Sequence, residues 1–117
     1  MNKIKINDNI FNCKIVASPH ERSRGMMGKR FNNTFNGMIF LQGLDDHCFW
    51  MKNCIIPLDI IFIKDNTITK IHHNCPPCED DICDERYCGE GDLVLEIAGN
   101  SCDELDINEG DKIDFMF

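Results

Sequence analysis

The chain has 117 residues, 43% of them hydrophobic and 27% charged, which is the make-up of one globular domain long enough to bury a core without staples. Twenty acidic against twelve basic residues leave a net charge of −8, which repels phosphate backbones and anionic membrane surfaces and argues against a nucleic-acid partner. No apolar run reaches the roughly 18 residues of a membrane span, and Met1–Ile6 is too short and polar for an export signal, so cytoplasmic residence is the default expectation. Eight cysteines pull the other way, toward disulfides, a metal or an oxidising destination.

In chain order, Lys3–Ile6 and Ile10–Ala17 alternate apolar and polar residues about Asn7-Asp8-Asn9, the pattern of a hairpin-like pair of strands. Ser18-Pro19-His20-Glu21 is a capping box and predicts a helix of about two turns ending near Gly25 or Gly28. Lys29–Asn36 is turn-rich, Gly37–Leu41 is extended, and Gly43–Asp46 turns the chain into its densest apolar stretch, residues 47–63, which holds the one tryptophan. If that stretch is extended, Phe49 and Met51 share one face while Trp50 and Lys52 share the other. Leu58–Ile63 is apolar on both faces except at Asp59, as an interior strand should be. Lys64–Thr67 predicts a hairpin turn into a strand over Thr67–His73.

Asn74–Gly91 carries four cysteines and much of the acid and predicts a loop ordered by local cross-links. Leu93–Ala98 predicts a strand, Gly99–Ile107 one or two helical turns capped by Asn100 or Ser101, and Lys112–Phe117 a closing strand. Seven or eight short strands separated by turns argue for a mainly β sandwich or barrel with one or two short helices, in a single domain over residues 1–117.

The order Glu21-Arg22-x-x-Gly25-Met26-Met27, Arg30, Gly37-Met38-x-Phe40, Phe49-Trp50-Met51-Lys52-Asn53-x-x-x-Pro57-Leu58-Asp59-Ile60-x-Phe62, Leu95-Glu96-x-x-x-Gly99 and Gly110-Asp111 resembles a family of small bacterial and archaeal proteins, domain of unknown function 192. The resemblance implies a jelly-roll-like β sandwich and implies no activity. Cys54 departs from the threonine usual in that family, and Gly28-Lys29 intervenes before Arg30. Pro77-Cys78, Cys83 and Tyr87 match a family pattern to which Cys75 and Cys88 look like additions. Many relatives carry a signal or lipid anchor, which leaves an extracytoplasmic site open.

Three constellations could carry chemistry. Arg22, Arg30, Trp50, Lys52, Asn53, Asp59 and Glu96 lie among the most apolar residues. Buried acids such as Asp59 and Glu96 are expensive unless paired, so they are expected to meet Arg or Lys from this set, either as a structural ion-pair network or as a cleft for a small anionic or sugar-like ligand. Acid–base catalysis by Asp59 and Glu96 on a carbohydrate-like substrate, as a hydrolase or lyase, is the rarer alternative. Cys75, Cys78, Cys83 and Cys88 suit one or two disulfides, with a structural Zn²⁺ or free thiols as the other readings. Met26, Met27, Met38 and Met51, with His47, Cys48 and Cys54, could hold Cu(I), but methionine more often fills core gaps. The expectation is a small binding or accessory domain with a polar cleft near Trp50–Asp59 and no cofactor, against a purely structural or interaction module that could form a homo-oligomer.

Overall fold

Asn7, held at φ 55°, turns β1 (Asn2–Ile6) into β2 (Asn9–Val16) with Ile6 opposite Asn9. The computed structural model describes residues 2–41 and 46–116, and the turn expected over Gly43–Asp46 falls largely outside them. Ser18 then starts α1 (Pro19–Arg24): its hydroxyl accepts the Glu21 amide at 3.1 Å, and the Glu21 carboxylate accepts the Ser18 amide. Gly25 closes the helix at φ 45°, where a side chain would also run into the Phe40 ring.

β3 (Gly37–Leu41) lies parallel to β2, and every other pairing between named strands is antiparallel. Asp65 and Asn66, at φ 53° and 57°, make the expected tight turn between β5 (Leu58–Lys64) and β6 (Thr67–Cys75). β8 (Leu93–Ala98) fits between β5 and β3, and β9 (Ile113–Met116) adds to β1, giving the order β6-β5-β8-β3-β2-β1-β9. The two edges meet: Ile68 N–H donates to Asp111 O at 2.9 Å, Gly110 N–H to Ile68 O at 2.8 Å and Ile113 N–H to Asn66 O at 2.9 Å. The sheet therefore curls onto itself, which removes much of the open edge that would otherwise invite pairing.

Alternation along these strands makes two cores. Ile4, Ile6, Ile39, Ile61, Ile63, Leu95, Ile97 and Ile113 fill the inside of the curl. Val16, Met38, Phe40, Ile60, Phe62 and Val94 face outward and are covered by Met26, Phe35, Met51 and Cys54 from the irregular segments around residues 25–36 and 50–57. A small second sheet, β4 (Asp46–Phe49) with β7 (Tyr87–Glu90), lies over the same outer face. Its contact is close at Gly89, where any side chain would enter the Phe62 ring. α2 (Ser101–Leu105) completes the chain's elements.

The mainly β, sandwich- or barrel-like expectation with short helices holds. Two local readings do not. The stretch over residues 47–63 is broken: β4 ends at Phe49, residues 50–57 are irregular, and β5 begins at Leu58, because Asn53 takes φ 59° and Pro57 has no amide to donate. The loop over Asn74–Gly91 contains β7, whose partner β4 lies about 40 residues away in sequence, beyond the reach of local pattern.

Candidate functional site

The outward parity of β8 decides which side chains can make a site. Glu96 shares a face with Val94, and its register partners Met38 and Ile60 belong to the outer core, so a carboxyl stands in an apolar layer. It is 4% exposed and makes no hydrogen bond or ion pair with another described residue, and because the fully enclosed side-chain oxygen without a partner among the described residues is Asp92 Oδ1, the Glu96 oxygens keep a sliver of solvent contact through the opening above them. Burial alone pushes its pKa up to about 8. Because the folded-state value lies above the ordinary carboxylate value, the pH-dependent cost of the acid is absent at low pH and grows progressively as pH rises from about 4.5 to about 8.

The loops over the outer core leave an opening above Glu96, a cleft of about 390 Å³. Phe40, Phe49, Trp50 and Met26 supply apolar walls, and Arg22, Arg24 and Lys52 supply cations. Phe49 is wedged edge-on between Phe40 and Phe62, with ring centroids 5.1 and 5.8 Å away, which fixes the β4 wall. Arg22 Nη1 donates to Leu41 O at 3.0 Å, tying α1 to the end of β3. Lys52 Nζ donates to the carbonyls of Asp80 and Asp81 at 3.2 and 3.0 Å, so the acidic loop holds its ammonium. Trp50 is 41% exposed and carries the Arg86 guanidinium 4.7 Å above its ring. A second cavity, of about 540 Å³, opens on the other side of α1 near Lys14, His20 and Lys29. It is roomier but has no buried acid in its lining, and Lys29 is committed to Gly25 O at 3.0 Å.

Of the seven residues singled out from the sequence, Arg22, Trp50, Lys52 and Glu96 line the cleft, whereas Arg30, Asn53 and Asp59 line neither cavity. Arg30 is exposed. Asn53 is a backbone device: its left-handed conformation lets its amide donate to Cys78 O at 2.8 Å while its carbonyl accepts from Gly28. Asp59 pairs with Ile97 and therefore points to the opposite face from Glu96. Its carboxylate accepts the amides of Asn74 at 2.7 Å, Asn100 at 3.0 Å and Cys102 at 2.8 Å. Asn100 makes no side-chain cap for α2, and Asp59 serves as that cap from a distant strand. The expected ion-pair network among Asp59, Glu96, Arg and Lys is thus replaced by backbone amides at one acid and, among the described residues, by no partner at the other. The proposed acid–base pair is corrected on the same ground, since its two carboxyls face opposite sides of a sheet.

The cysteines also depart from expectation. Cys78 bonds to Cys83, but Cys88 bonds to Cys48 across the small sheet, where the two are register partners. Cys75 is a buried free thiol, so Cys75, Cys78, Cys83 and Cys88 do not form one four-sulfur set. Burial, with Glu96 near Cys54 and with Asp59 and Glu96 near Cys75, pushes both thiols up to about 12 and keeps them protonated at neutral pH, which disfavours thiolate chemistry. Met26, Met38 and Met51 are packed in the outer core, the gap-filling role. Sequence reasoning missed Arg24, His47, Phe40 and Phe49 as cleft residues. Phe40 was within reach, because its even parity on β3 matches Met38, the register partner of Glu96.

Two solved structures share the fold. A protein of unknown function from Novosphingobium aromaticivorans is 31% identical, with the match covering 97% of this chain and 82% of that one at a TM-score of 0.81. A protein from Sinorhizobium meliloti, described as a candidate transcription regulator, is 27% identical, with 97% and 91% covered and a TM-score of 0.79. No curated protein matches. The chain matches the DUF192 family, described as an uncharacterized ACR, over residues 2–115, and with the motif around Phe49–Asp59 built into one wall of the cleft and the cap of α2, it belongs to that family.

Proposed function

We propose that the protein is a small-ligand binding or accessory domain whose ligand enters the cleft above Glu96 and presents an anionic group to Arg22 and Arg24 at its mouth. One observation carries this reading: a carboxyl that is 4% exposed, unpaired among the described residues, and turned into an open cleft instead of a closed core. An unsatisfied buried acid costs stability, and a bound molecule that hydrogen-bonds to it recovers that cost. Binding is favoured over catalysis because Asp59, the other buried acid, is engaged by three amides on the far face. The two disulfides favour an oxidising compartment as the working location. The regulator description of the Sinorhizobium relative is not carried over, since a chain of net charge −8 repels DNA.

Trp50, the one tryptophan, lies at the cleft and reports on it directly. Titration with 4-hydroxybutanoate, a small carboxylate whose hydroxyl can reach Glu96, should change its emission saturably, and replacing both Arg22 and Arg24 by Ala should weaken that response about tenfold or more. A response that is linear in 4-hydroxybutanoate, or that survives the double replacement unchanged, contradicts the proposal.

A further inference from the structure

We infer that the part of the ligand reaching Glu96 is a cationic amine, so that the cleft takes a small zwitterion with its ammonium at the floor and its carboxylate or phosphate at the mouth. This rests on the cleft being a ligand site. Among the described residues, Glu96 is the one acidic residue in the cleft lining. The same lining includes the rings of Phe40, Phe49 and Trp50 and the Met26 side chain, together with His47. Ring faces and sulfur attract a cation and offer an anion nothing, and aromatic walls closed by one carboxylate are what an ammonium group needs to leave water.

The lining cations do not compete for that role. Arg22 is anchored to Leu41 O and Lys52 to the Asp80 and Asp81 carbonyls, Arg24 is exposed, and none of the three forms an ion pair with Glu96. Exposure polarises the lining, since Arg24 is exposed and Arg22 and Lys52 are half-buried, whereas the Glu96 carboxyl is 4% exposed. A purely anionic ligand reaching the floor would meet the carboxyl, and an apolar one would leave it unsatisfied. An ammonium satisfies it. On binding, Glu96 gives its proton to solvent, the ammonium keeps its three, and an N⁺–H···O⁻ bond forms in its place.

The test compares 4-aminobutanoate and 2-aminoethyl phosphate with their hydroxyl counterparts, 4-hydroxybutanoate and ethylene glycol monophosphate, in weakly buffered solution at pH 7 with a pH-indicator dye. The amines should bind about tenfold or more tightly than the hydroxyl compounds and release about 0.9 proton per ligand, as expected for an acid whose pKa is about 8. Glu96→Gln should abolish the proton release and remove the preference for amines, with Glu96→Leu as a second variant should the first fold poorly. Hydroxyl compounds binding as tightly as amines, with no proton released, would overturn this inference and leave the cleft reading standing. Failure of both sets to bind would remove both.

Discussion

Asp59 and Glu96 are neighbours in the sheet, one strand and one register step apart, and both are buried, yet the fold treats them oppositely. Asp59 points into the curl and gathers three amides from two separate segments, including the uncapped start of α2. Glu96 points outward and gathers no hydrogen bond from another described residue, and burial raises its pKa. An acid both of whose oxygens are engaged by backbone amides belongs to the architecture. An acid held in hydrocarbon at the floor of an opening is a cost with no structural return, and such residues mark sites.

Removing the two side chains should separate these roles. Asp59→Ala leaves the amides of Asn74, Asn100 and Cys102 without an acceptor and should cost about 5 kcal/mol in urea unfolding, at roughly 1.5–3 kcal/mol for each bond to a charged group with partial relaxation. Glu96→Leu, of similar size and free of the buried acid, should be neutral or stabilising at pH 7. If the two variants lose comparable stability, the contrast fails.

The disulfides sharpen the same comparison, because one of them holds the cleft wall. Cys48–Cys88 spans 40 residues and Cys78–Cys83 spans 5, so in the chain-entropy treatment replacing each pair by Ser should cost about 4 and about 2 kcal/mol respectively. Loss of Cys48–Cys88 should also shift the emission of Trp50, two residues from Cys48. An unchanged spectrum would show that the Phe49 packing alone holds the wall.

Features set by neighbouring residues were legible from sequence. The Asn7 and Asp65-Asn66 turns, the Ser18 capping box and the doubly apolar β5 each depend on a handful of adjacent side chains, and all appear as read. Features made by chain return were not. β7 has no apolar alternation and exists because β4 lies beside it, and the Cys48–Cys88 link follows from that pairing. Parity alone separates Asp59, in step with Ile61 and Ile63, from Glu96, in step with Val94, but which face of the sheet would be opened by its loops is a tertiary outcome. Arg30 and Asn53 carried the same motif signal as Lys52, and only the path of the irregular segment over residues 50–57 tells them apart.

The central claim is that Glu96 stands unpaired and protonated at the floor of the cleft. A carboxyl ¹³C NMR titration of that side chain tests it most directly: the claim requires a midpoint near 8 in the free protein, falling when an amine ligand is added. A midpoint at the ordinary glutamate value, near 4.5, would contradict it.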